Sequence, residues 1–337
     1  MSTLEITRYA VPLRTPARLG SAALTRREGL LVAWRDPESG VVGRGEAAPA
    51  YWIGEEAIDA VAAELAVLVD STPPLDLSAA LDAGRLAASP AARCALDTAL
   101  LDLRARQRGV PLAAVLGSGH PDVTRFDVAA LVAGDAPAAV HAEASARVAA
   151  GFRVLKLKVG GRPPAEDVAR IEALRDAGGG AVLLRLDANR CWSEDEAVAV
   201  LAAVAAPDVE YVEEPLRSHD LVALARLRAR AGVPVAMDES VSTVEAVTRL
   251  AECGACDTIV LKLVRVGGPR AAVALARHAR GLGLRVALTD SIETAVGRAA
   301  AVHVAAALPA PHQAIGLGGA MLLAGDPLGA GDDAPAA

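Results

Sequence analysis

The strongest constraint on the fold is a repeat in the second part of the chain, where short apolar runs alternate with Ala-rich stretches of helical period. The runs start about 24 to 29 residues apart, near Phe126, Phe152, Ala181, Val209, Val233, Thr258, Leu284 and Gln313. Eight strand-helix units close a parallel barrel. An open doubly wound sheet usually stops at about six strands and carries a Gly-rich dinucleotide motif after the first, which this chain lacks. The repeat therefore predicts an α/β fold of the (β/α)-barrel type.

The first third of the chain has a different pattern and predicts a separate α+β domain. Alternating apolar residues predict strands over residues 4–13, 29–34 and 41–47, and the polar stretch 14–27 reads as a loop, either a plain connector or a lid. Helical periodicity follows over residues 55–116. We expect an α+β domain over residues 1–120, a barrel over residues 121–316, and a return segment with a disordered tail over residues 317–337.

Charge and cysteine content narrow the functional classes. The 337 residues include 41 acidic and 34 basic side chains, a formal charge of −7, and no basic run is interleaved with aromatic residues, so we expect no nucleic-acid partner. Four scattered cysteines do not make a disulfide framework. Cys253 and Cys256 have zinc or redox spacing but lack a second pair. Without a signal-like N-terminus or an apolar run near about 20 residues, we expect a cytoplasmic protein with no membrane partner.

Three carboxylates follow consecutive predicted strands. Asp187, Glu213 and Asp238 each stand at or just after the end of an apolar run, one repeat apart. In a parallel barrel the carboxyl ends of the strands meet at one face, where the chemistry of such folds lies. Three converging carboxylates repel each other unless a hard divalent cation binds between them, most simply Mg²⁺ with Mn²⁺ as a substitute. The alternative is that each acid caps a helix at a strand-helix junction.

Three lysines flank these carboxylates in the sequence. Lys156 and Lys158 are two residues apart, so they point to the same side of one strand, and Lys262 follows a later strand. Buried ammonium groups need partners, which carboxylates and a metal site provide. A desolvated lysine has a lowered pKa and can act as a general base near neutrality. We assign catalysis to Lys158 and Lys262 and a supporting role to Lys156. Metal flanked by lysines suits removal of a proton α to a carboxylate, because the cation balances the charge of the enediolate.

The chain resembles the enolase superfamily, in its muconate-cycloisomerase-like subgroup. The resemblance covers nearly the whole chain and rests on Lys156-Leu157-Lys158, Asp187-Ala188-Asn189, Glu213-Glu214-Pro215, Asp238-Glu239-Ser240, and Lys262 with Gly267-Gly268. It implies a modified TIM barrel of (βα)7β type, with an N-terminal α+β capping domain that the C-terminal segment completes. It also implies Mg²⁺ on Asp187, Glu213 and Asp238, Lys158 as the base, Lys262 as the opposing lysine, and Asn189 and Glu239 as supporting residues.

Within the subgroup, the chain is most similar to the o-succinylbenzoate synthase family, on its residues 27–32, 291–297 and 316–318. Mandelate-racemase-type enzymes carry a His-Asp pair instead of the second lysine, and neither His303 nor His312 falls at the seventh strand end. Dipeptide epimerases carry Asp-x-Asp where this chain has Gly316-Leu317-Gly318. One departure is Asp290, where a small neutral residue is expected.

The resemblance implies a lyase that dehydrates 2-succinyl-6-hydroxy-2,4-cyclohexadiene-1-carboxylate to o-succinylbenzoate in menaquinone biosynthesis. Alternatives on the same residues are N-succinylamino-acid racemisation, dipeptide epimerisation, muconate cycloisomerisation and, outside enzymes, an inert binding barrel. A small-molecule carboxylate is the expected partner, and a homo-oligomer is compatible with the fold. The expected substrate contacts are the capping loops 17–26 and 50–54 with Ser291, Gly316, Leu317 and Gly318. A succinyl carboxylate could bind Arg18, Arg26 or Arg27, and the alternative for each is a solvated surface arginine.

Overall fold

The computed structural model describes residues 3–19, 22–51, 54, 56–86, 88–117, 125–206, 208–310 and 313–328. Two sheets organise these residues. The first is antiparallel, with the order β1-β2-β3, and consists of β1 (Thr3–Leu19), β2 (Ala22–Arg35) and β3 (Val42–Ala47). The second has seven strands, all of them parallel, and carries the repeat.

The first two strands correct the loop predicted over residues 14–27. β1 and β2 pair again within this stretch: Ala17 lies opposite Leu24 after a register shift between Pro12 and Ala17. Proline has no N–H to donate to a ladder, so an irregularity at this position is expected, and the pairing resumes beyond it. The polar, Arg-rich residues 14–19 and 22–27 belong to strands and not to a connector.

Four helices complete the N-terminal part: α1 (Ile58–Ser71), α2 (Pro74–Asp82), α3 (Pro90–Arg108) and α4 (Leu112–Val115). The longest, α3, starts at the Ser89 cap and ends at Gly109 with φ 64°. It packs against β3 at a distance that only glycine permits, since a Cβ on Gly45 would lie 1.9 Å from the Ala95 carbonyl oxygen. The backbone N–H of Arg44 donates to Asp102 Oδ2 at 2.8 Å and fixes this contact.

The seven parallel strands follow each other in sequence order and start within three residues of the predicted positions: β4 (Ala129–Val132), β5 (Val154–Lys158), β6 (Leu183–Asp187), β7 (Val209–Glu213), β8 (Val235–Met237), β9 (Thr258–Leu261) and β10 (Arg285–Leu288). The helices of this part are α5 (Pro137–Ala149), α6 (Pro164–Gly178), α7 (Glu194–Val204), α8 (Leu221–Ala231), α9 (Val244–Glu252), α10 (Leu263–Val266), α11 (Pro269–Gly281) and α12 (Ala295–Ala307). The predicted alternation of strand and helix is therefore confirmed through seven units.

A two-residue segment lies where the eighth strand is predicted. Ile315 forms a parallel bridge with Val128, next to β4, and Gly316 forms one with Thr289, next to β10. The backbone N–H of Ala129 donates to the Ile315 carbonyl at 2.9 Å, and that of Gly316 to the Leu288 carbonyl at 2.8 Å. This segment thus contacts both edge strands of the parallel sheet.

The C-terminal segment then returns to the first sheet, as the resemblance implies. After a 3₁₀ turn over Gly318–Leu322, Leu323 bridges Leu13 in an antiparallel manner, and the N–H of Ala324 donates to the Pro12 carbonyl at 2.9 Å. The predicted domain junction at residue 120 and the end of the predicted tail, residues 329–337, lie outside the described residues.

One large apolar core holds the two parts together. It contains Leu30, Val32 and Trp34 of the first sheet as well as Leu155, Leu186 and Val212 of the parallel strands. Within the described ranges, no helix combines the length and the apolar character that a membrane crossing requires.

Candidate active site

The site is a cavity of about 120 Å³ at the carboxyl ends of the parallel strands. Ala50 of the capping domain and Gly318, Gly319 and Leu322 of the C-terminal segment also line it. Most of the residues predicted from sequence face this cavity: Lys156, Lys158, Asp187, Asn189, Glu213, Glu239 and Lys262. The ends of all seven parallel strands, the capping domain and the return segment therefore meet around one small space.

Lysine use sets this cavity apart from the rest of the chain. Of 34 basic residues, three are lysines and the other 31 are arginines, and all three lysines line the cavity. Arginine is always charged, whereas lysine shifts its pKa when buried and can lose its proton. A chain that uses arginine everywhere else has placed all its lysines at this site.

Lys156 joins two of the predicted metal ligands. It extends from β5, and its Nζ lies 2.9 Å from Asp187 Oδ2 and 2.7 Å from Glu213 Oε2. Lys158, two residues on, lies 3.4 Å from Asp187 Oδ2 and donates to Asn189 Oδ1. Both ammonium groups point to the same side of the strand, as the spacing predicts, because alternate residues of a strand share a face.

The third predicted ligand, Asp238, has partners of its own. Lys262 Nζ lies 2.5 Å from Asp238 Oδ2, and the guanidinium of Arg265 donates to Asp238 Oδ1. Asp238 is 1% exposed and does not line the cavity. Sequence reasoning missed Arg265, which stands three residues after Lys262 and so returns to the same place after one turn of α10.

The donor set fits a hard divalent cation, although the carboxylates are held apart by their cations. Across the part of the chain that the structure describes, no three carboxylate, imidazole or thiol side chains form a ready-made metal site. Lys156 lies between Asp187 and Glu213, while Lys262 and Arg265 hold Asp238. Glu213 Oε1 is buried and has no hydrogen-bond partner. A buried, unpartnered carboxylate oxygen at this position matches the oxygen ligands that Mg²⁺ requires.

Burial and charge move the carboxyl groups in opposite directions. Burial raises the pKa of Asp187, but Lys156 and Lys158 outweigh it and the net pKa falls to about 2. Burial, reinforced by the negative charge of Asp187, raises the pKa of Glu213 to about 8. Glu239 is raised to about 7 by burial and by the charge of Asp238. The pKa of Asp238 is also lowered, because Arg265 and Lys262 outweigh its burial, so Asp187 and Asp238 stay ionised while Glu213 and Glu239 hold protons more readily.

The lysines correct one expectation. Burial lowers the pKa of Lys262, but the attraction of Asp238 outweighs it and the net pKa is raised. Burial also lowers the pKa of Lys156, but Asp187 and Glu213 outweigh it and raise that pKa well above its usual value. The predicted lowering of the lysine pKa is therefore wrong for Lys262. An opposite charge within hydrogen-bonding distance favours the charged form more than desolvation disfavours it.

A second set of residues positions the strand ends. Glu214 Oε1 accepts the backbone N–H groups of Asp238 at 3.1 Å and Ser240 at 2.9 Å, and Glu214 Oε2 lies 3.0 Å from Arg190 Nε. Asn189 Nδ2 donates to Glu239 Oε1 at 3.2 Å, as expected of a supporting pair. The Glu-Glu-Pro motif contained Glu214, but only the fold shows that it ties the ends of three strands together.

Backbone strain is concentrated at the same strand ends. Among the described residues, four that are not glycine have a positive φ: Asn189 at 41°, Arg190 at 60°, Glu214 at 42° and Ile292 at 62°. Such conformations cost of the order of 1–3 kcal/mol each and are kept where the surrounding structure enforces them. All four lie beside the cavity or one residue from its lining.

Arg185 forms part of the cavity floor and was also missed. It is 2% exposed, lies two residues before Asp187 on β6, and therefore shares its face. Its Nε is 2.6 Å from Glu210 Oε2, its Nη1 donates to the Ala314 carbonyl at 2.9 Å, and its guanidinium lies 5.0 Å from the ring centroid of Tyr211. A buried cation at this depth offsets the negative charge of the carboxylates above it.

The predicted substrate contacts divide into two groups. Ser291, Gly316 and Gly318 line the cavity, whereas Leu317 does not and packs against the main core. The departure noted in the sequence, Asp290, also lines the cavity. Its Oδ2 and the neighbouring Ser291 Oγ are buried and have no hydrogen-bond partner.

The arginine candidates are corrected in part. Arg27 is fully buried and donates to backbone carbonyls: Nε to Ile292 at 3.2 Å, Nη1 to Pro49 at 2.9 Å, and Nη2 to Ala48. A guanidinium engaged in this way is a structural tie, so Arg27 is not a solvent-facing substrate ligand. Arg26 is exposed and pairs with Glu28 at 3.3 Å, away from the cavity lining, and the side chain of Arg18 lies outside the described residues.

Two family descriptions match nearly the whole chain. Residues 1–117 match the mandelate racemase / muconate lactonizing enzyme N-terminal domain, and residues 139–326 match the enolase C-terminal domain-like family. The chain belongs to the enolase superfamily. Its fold is that of the superfamily, an N-terminal capping domain followed by a parallel α/β barrel-like domain, and the resemblance stated from the motifs is confirmed.

Relatives carry several activities. The chain is 32% identical to the L-Ala-D/L-Glu epimerase of Bacillus subtilis, over 90% of this chain and 84% of that protein. It is 42% identical to the o-succinylbenzoate synthase of Thermobifida fusca, over 56% of this chain and 59% of that protein. A structure of the dipeptide epimerase from Enterococcus faecalis, complexed with Mg and L-Leu-L-Tyr, superposes with a TM-score of 0.87 and 26% identity, covering 96% of this chain and 92% of that one. This superfamily enzyme therefore has both lyases and epimerases among its relatives.

Proposed function

We propose that the protein is a Mg²⁺-dependent carbon-oxygen lyase that dehydrates 2-succinyl-6-hydroxy-2,4-cyclohexadiene-1-carboxylate to o-succinylbenzoate. The observation that carries the proposal is the position of Lys158 and Lys262, which line one cavity from β5 and from the end of β9. Three strands that end in or lead to carboxylates separate them in the sheet. The identity to the Thermobifida fusca synthase, 42% over the aligned part, supports the choice of substrate.

Each residue has a role in this reaction. Asp187, Glu213 and Asp238 would hold Mg²⁺, with Mn²⁺ as a substitute. A bound Mg²⁺ supplies positive charge to the oxygens of the substrate carboxylate. Lys158 takes the proton from the carbon α to that carboxylate, and then gives a proton to the departing hydroxyl, so that one C–H and one C–O bond break and water leaves. Lys262 stays protonated and stabilises the negative charge that develops between the two steps.

The supporting residues set the charge of these lysines. Lys156 stays charged between Asp187 and Glu213 and keeps both carboxylates oriented. Lys262 would lose part of the attraction that raises its pKa if Asp238 shared its charge with a metal. Lys158 is more exposed than Lys262, at 31% against 14% of the side chain, and its contact with Asp187 is the longer one. Lys158 is therefore the better base and Lys262 the better fixed cation.

The architecture around the site is proposed in the same terms. We propose a closed (βα)7β barrel, in which Ile315 and Gly316 stand as the eighth strand between β4 and β10. The boundaries proposed are residues 1–120 for the capping domain, 121–316 for the barrel and 317–337 for the C-terminal segment. The bridge between Leu13 and Leu323 supports a capping domain completed by this segment.

The test is an ultraviolet assay of diene loss with Mg²⁺ and the cyclohexadiene substrate. Turnover is expected in the wild type and a loss of at least about 10³-fold in Lys158→Ala and in Lys262→Ala, since general-base and electrostatic groups contribute about 10²–10⁴-fold each. Arg226→Ala is the matched control, because it removes an exposed cation paired with Glu194 outside the cavity. Retained turnover in Lys158→Ala would show that another group is the base.

A second candidate function is epimerisation or racemisation of an amino-acid derivative. Two observations favour it: a lysine on each side of the cavity suits proton removal from one face of a carbon and return to the other, and Asp290 adds a carboxylate that a dicarboxylate substrate does not need. The assay is exchange of the α-proton in deuterated water with dipeptides and N-succinylamino acids. Exchange without diene loss would replace the substrate while keeping the proposed lysines.

A further inference from the structure

Two adjacent residues after β10 present unsatisfied polar atoms to the cavity. Asp290 and Ser291 both line it, and Asp290 Oδ2 and Ser291 Oγ are each buried without a hydrogen-bond partner. Buried polar atoms are paired in the great majority of cases, so two orphans side by side call for an explanation. Neither residue belongs to the lysine and carboxylate set described above.

The carboxylate of Asp290 is held in place by the backbone. The backbone N–H groups of Gly319 and Ile292 stabilise its negative charge, and its Oδ2 has no hydrogen-bond partner. Glycine is required at 319, since a Cβ there would lie 2.8 Å from Asp290 Oδ2 and 2.7 Å from Ile292 Cα. A carboxylate fixed by two N–H groups and packed against a bare backbone is preorganised to receive a donor from the cavity.

The cations near Asp290 are already engaged. Arg298 Nη1 donates to the Glu293 carbonyl at 2.7 Å and its Nη2 lies 3.7 Å from Asp326, while Lys262 pairs with Asp238 at 2.5 Å. Glu293, three residues on, accepts the N–H of Ser291 and provides no positive charge. Burial raises the pKa of Asp290 to about 6, so it is mostly ionised at pH 7.5. Asp290 therefore contributes a negative charge to the cavity that a positively charged group of a ligand can pair with.

We propose that Asp290 and Ser291 form a subsite for a protonated amine of the substrate. An ammonium group donates hydrogen bonds, which both Asp290 Oδ2 and Ser291 Oγ can accept, and its charge matches that of the carboxylate. The ligand class is a small amino-acid derivative with a carboxylate at the lysine end of the cavity and a free amine at the Asp290 end. This inference rests on the second candidate function proposed above, epimerisation or racemisation of an amino-acid derivative, and not on the dehydration. One lysine takes the α-proton and the opposing lysine returns one to the same carbon, so no other reactant is needed.

The experiment compares a dipeptide with its N-acetylated form, which carries a neutral acetamide in place of the charged amine. Exchange of the α-proton is followed by ¹H NMR in deuterated water at pH 7.5 with Mg²⁺, for the wild type, Asp290→Asn and the control Asp195→Asn, which changes an exposed acid of α7. Asn keeps an oxygen for the N–H groups of Gly319 and Ile292 but has no charge. The quantity compared is the ratio of kcat/KM for the free amine to kcat/KM for the acetylated form. We expect Asp290→Asn to lower this ratio by about 10- to 100-fold and Asp195→Asn to leave it unchanged.

A binding measurement separates recognition from turnover. Calorimetric titration of the same two dipeptides is expected to show tighter binding of the free amine to the wild type and loss of that preference in Asp290→Asn. Equal losses on both dipeptides would mean that Asp290 only positions the turn, and would overturn the subsite. Diene loss without exchange or binding of either dipeptide would also overturn it while leaving the proposed lyase standing. Failure of every substrate would reject the proposed site itself.

Discussion

Removing Glu214 should weaken the whole rim of strand ends. This side chain is 2% exposed, and its two oxygens accept the N–H of Asp238 and of Ser240 and pair with Arg190. From its position directly after β7, Glu214 therefore fixes Asp238 after β8 and Arg190 after β6. Among the described residues, no other side chain in the site accepts a hydrogen bond from the backbone of a predicted metal ligand on a neighbouring strand.

The magnitude follows from the groups that lose their partner. Glu214→Ala leaves two backbone N–H groups without an acceptor, at about 1–3 kcal/mol each, and removes one partner of a largely buried ion pair. The sum is about 3–6 kcal/mol, a large share of the about 5–15 kcal/mol that folded proteins possess. Glu214→Gln keeps one acceptor for the two N–H groups and loses only the charge, so about 1–2 kcal/mol is expected.

Urea unfolding followed by tryptophan fluorescence measures the difference, because Trp192 is 1% exposed and lies two residues after Arg190. The midpoint should fall in the order wild type, Glu214→Gln, Glu214→Ala, with an unchanged slope. The reasoning is refuted if Glu214→Ala stays within about 0.5 kcal/mol of the wild type, or if Gln is as damaging as Ala. Either result would mean that the two N–H groups find other acceptors.

Three other predictions address charge in the site. Mg²⁺ should raise the Tm of the wild type, and Asp238→Asn should lose most of that rise in a thermal-shift assay, because the cation stabilises only the state that binds it. Because the chain has only three lysines, ¹³C-lysine NMR should resolve each ammonium group. Saturating Mg²⁺ should lower the raised pKa of Lys262, and an unchanged pKa would mean that Asp238 is not a metal ligand. Burial raises the pKa of Glu293 to about 8. Between about pH 4.5 and 8 the folded state therefore binds more protons than the unfolded state, so the free energy of unfolding falls as the pH rises through this window. Glu293→Gln should remove that fall in urea titrations at successive pH values, and an unchanged slope would refute it.

The repeat in the sequence predicted the strands and the positions of the carboxylates at their ends because both are local properties. A short apolar run that ends in Asp187 or Glu213 forms a strand with that carboxylate at its end. The two-residue period of a strand places Lys156 and Lys158 on one face. The barrel rule then brings the ends of neighbouring strands together without further information. These parts of the site needed only spacing.

The remaining parts depend on contacts between distant segments. Whether Arg27 meets a ligand or a backbone carbonyl is decided by Ile292, 265 residues away. The sign of the pKa shift of Lys262 depends on its distance to Asp238, since burial and ion pairing act in opposite directions. The paired stretch after Pro12 carries Arg and Ala residues that favour no strand by composition, and its partner strand alone fixes it.

The capping domain fixes the geometry of the seventh strand end from outside the barrel. Glu46 of β3 accepts the backbone N–H groups of Thr294 at 3.0 Å and Gly297 at 2.9 Å and the Thr294 hydroxyl at 2.6 Å, so a residue of one domain caps helix α12 of the other. Arg27 of β2 holds the carbonyl of Ile292, the strained residue of the same turn. Asp290 and Ser291 lie directly before these two anchors. Substitutions in β2 or β3 should therefore change which substrates fit while the lysines and carboxylates stay in place.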